Sequence, residues 1–101
     1  MPMVVRENVE VTENETEIIE ATETDKEINR IFSVSNGGSA IEIQARGSND
    51  GGQTWEDRGL KTIEANQADT LIVGPTVYLV KLVGKTTIPG EGSIVNASLV
   101  W

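Results

Sequence analysis

Asp50, Glu56 and Asp57 stand close together in the sequence, around the run Ser48-Asn49-Asp50-Gly51-Gly52-Gln53-Thr54-Trp55, and a carboxylate pair is the one catalytic device they could supply. Glycoside hydrolysis uses two such groups, one protonating the leaving oxygen and the other acting as nucleophile or base, in a concave site that raises one pKa. A run with Asp-x-Gly-Gly at its centre reads as a chain reversal, and the tip of a reversal is convex. The same three carboxylates could approach Ca²⁺, but the D-x-[DN]-x-[DN]-G spacing is absent and three ligands fall short of the six to eight that Ca²⁺ takes. The chain has no histidine and no cysteine, which removes the usual general base, the thiol nucleophile and the common zinc ligands. No G-x-S-x-G or phosphate-binding loop is present. We therefore expect no catalytic residues, no metal and no cofactor.

The same run makes better sense as structure. Asp50 can accept hydrogen bonds from backbone amides further along the loop, Gly51 and Gly52 can take positive φ, and Thr54-Trp55 restarts a strand. The spacing S-x-D-x-G-x-T-W, carried by Ser48, Asp50, Gly52, Thr54 and Trp55, resembles the Asp-box of sialidases and other β-propellers. That resemblance implies a structural hairpin whose ring covers its own tip. It does not imply a propeller, which needs about 160 residues for four blades. With a six-residue loop, Trp55 faces Arg46 on the outer side of the hairpin, an aromatic ring across from a guanidinium. As a sugar-stacking platform flanked by Asn49, Asp50 and Gln53, the same ring is the alternative ligand site.

The elements that hold this tip must come from a chain of 101 residues with 38% hydrophobic and 4% aromatic content, enough for one thin Val/Ile/Leu core in a single domain, 1–101. Disulfides cannot supplement that core, so oligomerisation is the remaining source of burial. Net charge is −8, and residues 1–27 hold nine carboxylates against Arg6 and Lys26. An acidic surface excludes phosphate-directed binding of nucleic acid. The acidic segment 1–27 reads as a solvated face or as a docking surface for a basic partner. No run approaches the ~18 apolar residues of a membrane helix, and Met1 to Arg6 does not resemble a secretory signal, so synthesis in the cytoplasm is expected.

Apolar alternation then predicts the strands. Val5, Val9 and Val11 share one face of a strand over 4–12. Residues 16–24 read as a strand in preference to a Glu-rich helix, with Ile19 and Ala21 on one side and Ile18 on the other. Phe32 and Val34 alternate with serines, and Ile41, Ile43 and Ala45 with polar residues. A loop at Asn36-Gly37-Gly38-Ser39 would join these two as a hairpin, with Val34 opposite Ile41, or Phe32 opposite Ile41 if the turn has two residues. Strands follow at 54–60, continuing to Ile63, at 70–73, at 77–83 and at 93–101. The segment 77–83 is apolar on both faces apart from Lys81, so Val77, Leu79 and Lys81, on the side opposite Tyr78, Val80 and Leu82, are expected to lie under another subunit or under the acidic N-terminal segment. Trp101 ends the last strand within its apolar pattern and is expected to be packed. These four residues are the interface candidates.

Seven to eight short strands with turn signals between them give an all-β fold, a single antiparallel β-sandwich or jelly roll. In texture the chain resembles small, cysteine-free β-sandwich modules of the tailed-phage virion, such as capsid decoration or tail subunits. The resemblance implies a non-enzymatic structural protein that forms a homo-oligomer within a larger capsid or tail assembly, located in the virion. The alternatives are a carbohydrate-binding module using the 48–55 hairpin and an accessory domain of an enzyme.

Overall fold

In the computed structural model, which describes residues 2–24, 27–75 and 77–101, eight strands form two four-stranded antiparallel sheets. They are β1 (Met3–Val11), β2 (Thr16–Glu23), β3 (Arg30–Asn36), β4 (Ile41–Ser48), β5 (Glu56–Ile63), β6 (Ala68–Val73), β7 (Leu79–Thr86) and β8 (Ser93–Val100). Sheet A has the order β1-β8-β3-β6 and sheet B the order β2-β7-β4-β5. Strands 4 and 5, 3 and 6, 2 and 7, and 1 and 8 are therefore neighbours, the pattern left when one long hairpin is rolled up. That is the jelly roll, and the reversal at 48–55 is the apex from which it is wound.

Each sheet turns one face inward with a period of two. Phe32 and Val34 of β3, Val95, Ala97 and Leu99 of β8, Ile41, Ile43 and Ala45 of β4, and Val80 and Leu82 of β7 are all buried in one core. The strands match the predicted segments, but four pairing details differ from the sequence reading, each for a local reason.

The loop 36–39 does not close a hairpin, because β3 lies in sheet A and β4 in sheet B. Asn36 makes the crossing. Its amide Nδ2 donates to the carbonyls of Ser39, Ile63 and Glu64 at 2.9, 3.1 and 3.2 Å, and its Oδ1 accepts from the Gly38 amide and the Ser93 hydroxyl. One buried side chain thus ties together three connections between the layers.

In β1 the register slips between Arg6 and Val9, and Asn8 takes φ 55° while its N–H donates to Asn96 Oδ1 at 2.8 Å. The extra residue reverses parity. Val4, Val9 and Val11 pack toward the core and Val5 is exposed, rather than sharing their side. Two slips in β2 likewise bring both Ile18 and Ile19 inward and leave Ala21 exposed.

Finally, β7 begins only at Leu79. Val77 precedes the strand and is buried in the same core as Val80 and Leu82, against the backbone of Gly47, where a Cβ would lie 2.7 Å from Val77 Cγ2. It does not share a side with Leu79 and Lys81. The N-terminal strands lie beside sheets rather than over them, β1 along β8 and β2 along β7, so they do not cover the outer face of β7. Met1, Asp25 and Lys26 of the acidic segment fall outside the described residues.

Candidate functional site

The β4–β5 tip is built by two side chains. Ser48, 2% exposed at the end of β4, donates its hydroxyl to Asp50 Oδ1 at 2.7 Å and accepts the amides of Asp50 and Gly52 at 3.3 and 3.0 Å. Asp50 in turn accepts the Thr54 amide at 3.0 Å and the Thr54 hydroxyl. Gly51 and Gly52 take φ of 76° and 91°, a conformation that a side chain would strain. The Thr54 and Ser48 hydrogen bonds all favour the ionised carboxylate and hold the Asp50 pKa down at about 2. A carboxyl held ionised in this way has no proton to give as an acid catalyst near neutral pH. Glu56 pairs with Arg58 at 2.6 Å, and Asp57 accepts the Gly59 amide at 2.9 Å, so the three carboxylates share no site. Among the described residues no cluster of acidic groups could hold a metal ion.

Trp55 folds over its own tip, half-buried, with its ring 3.5 Å from the position of a Gly52 Cβ. Its cation is Lys81 rather than Arg46: Lys81 Nζ stands 4.3 Å from the ring centroid. Arg46 instead bonds Gln44 and pairs with Glu15 of the β1–β2 connection. Lys81 and Trp55 therefore meet on the outer face of sheet B, a contact worth about 0.5–1 kcal/mol at an exposed site. Leu79 is half-buried on the same strand. Trp101 is half-buried against the core, its backbone N–H donating to the Pro2 carbonyl at 3.2 Å. The tip residues and Lys81 thus come together, whereas Val77 and Trp101 serve the core.

The outer faces of the two sheets differ in kind. On the central strands of sheet B, β4 and β7, the outward positions include Glu42, Gln44, Arg46, Lys81 and Lys85. On the central strands of sheet A, β3 and β8, they are Ile31, Ser33, Ser35, Ile94, Asn96, Ser98 and Val100, without one charge. Pairing aligns Met3, Val100, Ile31 and Ile72 in one row across all four strands. Met3 is 62% exposed, Ile31 38% and Ile72 59%. Beside this row, Ser33, Ser35, Ala68, Thr70, Asn96 and Ser98 floor an open trough of about 610 Å³, with Val5, Glu7 and Asp69 at its rim. Two central strands without an outward charge, on a molecule with net charge −8, are the least expected surface here. The sequence reading passed over it because each strand, taken singly, shows an ordinary mix of serine and isolated aliphatics; the row exists only once the register is known.

The sequence matches no known family and no curated protein. Solved structures share the fold, two of them as follows. The chain is similar to the crystal structure of PirA, with a TM-score of 0.65 and 14% identity over 95% of this chain and 90% of that one. It is also similar to a solved structure from the Bacillus endospore appendages, which form a novel family of disulfide-linked pili, with a TM-score of 0.65 and 12% identity over 97% of this chain and 82% of that one. At these identities what is common to the three is the jelly-roll architecture.

Proposed function

We propose that this domain is a non-enzymatic structural subunit that works by associating with other protein in a larger assembly. The observation that carries the reading is the charge-free outer face of β3 and β8, with its row of exposed Met3, Ile31 and Ile72 and half-buried Val100. A contiguous apolar row on an uncharged face is the kind of surface at which proteins often meet a partner. The tip supports the same reading from the other side: Asp50 is committed to its own loop and one face of Trp55 is occupied by Lys81, which weighs against a sugar platform. The Bacillus appendages, of similar fold, are described as disulfide-linked pili. This chain has no cysteine, so its contacts would be non-covalent faces. Within this class, a phage virion subunit of the decoration or tail type is the finer form we favour, on the resemblance of residues 48–55 to the Asp-box-like hairpins of such modules. Sedimentation velocity over a wide concentration range tests the general reading. Molar mass should rise above 10.9 kDa with concentration; a monomer throughout, without a partner from its own source, would contradict it.

A further inference from the structure

We infer that the partner on the sheet A face is a second copy of this chain, docked face to face about a two-fold axis lying in the interface and running parallel to β3 and β8, between them. This inference rests on the assembly reading above and names the surface and its occupant.

Three features of the molecule lead there. The first is that the other routes to self-association are closed. Three of the four edge strands are bulged or face a bulge: β1 at Asn8, β2 at two places, and β5 opposite Ala45 and Arg46. The fourth, β6, pairs with β3 without a slip, and its free edge is capped by side chains. Asp69 Oδ1 accepts the Thr70 amide at 2.8 Å, Lys61 Nζ donates to the Thr70 carbonyl at 2.9 Å, and the two side chains pair at 3.2 Å. A strand arriving at this edge would have to displace both charges. The outer face of sheet B carries Glu42, Arg46, Lys81 and Lys85 on its central strands; stacked in the same way it would set Arg46 against Lys81 of the second copy and would take all four charges out of water.

The second is charge. Two molecules of net charge −8 repel over most orientations, and the sheet A face lets them meet with no charge at its centre; Glu7 and Glu10 stay at its β1 margin, and Asp69, paired with Lys61, at its β6 margin. A basic partner of another kind would read charge, and the centre of this face offers none.

The third is self-complementarity. A two-fold axis parallel to the strands lays β8 of one copy on β3 of the other and β1 on β6, each row meeting itself reversed. From the register, Val100 then faces Ile31 of the second copy, and Met3 faces Ile72. The polar rows match too: Ser98 faces Ser33 and Asn96 faces Ser35, so hydroxyls and amide can bond across the contact. Sheet twist turns stacked strands by about 30°, so the match is closest at β3 and β8. Four strands of six to nine residues present a face of about 19 by 23 Å, roughly 440 Å² per copy in projection. That is about half the area per partner of a standard stable interface. The dimer is accordingly weak and concentration-dependent, one contact among those of an assembly.

Sedimentation equilibrium of the wild type, Ile31→Lys, Ile72→Lys and Lys85→Glu tests this. All three substituted positions are exposed, and matching thermal melts confirm that the fold is kept. The wild type and Lys85→Glu should share one dimer constant, and each Ile→Lys variant should weaken it at least about tenfold. If the wild type associates and both Ile→Lys variants associate equally well, the face is wrong while the assembly reading stands. If the wild type stays monomeric at its highest soluble concentration, the face-to-face dimer is overturned, and the assembly reading then survives only if another protein binds.

Discussion

Replacing Asn36 with alanine removes the side chain that lets β3 end in one sheet and β4 begin in the other, and its cost follows from the bonds it makes. Asn36 is 2% exposed and its amide serves the carbonyls of Ser39, Ile63 and Glu64, the Gly38 N–H and the hydroxyl of Ser93, itself 5% exposed. The Ile63 carbonyl and the Ser93 hydroxyl are the two partners least able to reach water in compensation. A buried polar group left without a partner costs about 1–3 kcal/mol, so two give about 3 kcal/mol after water enters part of the space. Against a total stability of about 5–15 kcal/mol for a chain of this length, that is a large fraction. It corresponds to a fall in Tm of about 12–24 °C. Urea unfolding followed by tryptophan fluorescence should show a lower midpoint with an unchanged slope. Asn36→Asp should be worse than alanine, because a carboxylate would then face three carbonyl oxygens. A loss below about 1 kcal/mol, or an aspartate variant as stable as the wild type, would refute the view that this side chain holds the crossing.

Three further outcomes follow from the same reasoning. Ser48→Ala should cost about 1–3 kcal/mol, since the Gly52 and Asp50 amides lose their acceptor in a part-buried loop, and thermal unfolding will show whether it does. Asp50 has its pKa lowered from 3.8 to about 2 on folding, so the stability it contributes is present above about pH 4 and lost as pH falls through about 2; melts over this window should slope less in Asp50→Asn than in the wild type. Deleting residues 1–12 should lower Tm by uncovering β8 and removing the fully buried Val11, whereas an unchanged Tm would make β1 an appendage.

How far the sequence could be read depended on whether a feature was local. The tip was legible because Ser48, Asp50, Gly51, Gly52 and Thr54 make their contacts with one another, within seven residues. Strand positions were legible for the same reason, as alternation is a property of consecutive residues. Bulges were not: nothing in Arg6-Glu7-Asn8-Val9 announces that Asn8 will take φ 55°, because the choice depends on Asn96, 88 residues away. The Gly-rich loop after Asn36 looked like a hairpin turn, since turn chemistry specifies a reversal and leaves open whether the chain returns in the same layer or crosses to the other. Arg30, fully buried and donating to the carbonyls of Ile28 and Gly74, also escaped notice, as one arginine at the start of a strand reads as a solvated charge. The candidate interface was hidden for a further reason: its row takes one residue from each of four strands, and only their register brings Met3, Val100, Ile31 and Ile72 together.

The central claim, that the outer face of sheet A is where this protein meets its own copy, is tested most directly by isotope-filtered NOE spectroscopy on a mixture of ¹³C-labelled and unlabelled chains. Within one chain Ile31 and Val100 are already neighbours, and the filter removes that contribution by accepting only transfer between copies. The account predicts intermolecular NOEs between the methyl groups of Ile31 and Val100, and between those of Ile72 and Met3. Intermolecular NOEs confined to sheet B, to the 48–55 tip or to the strand edges would contradict it.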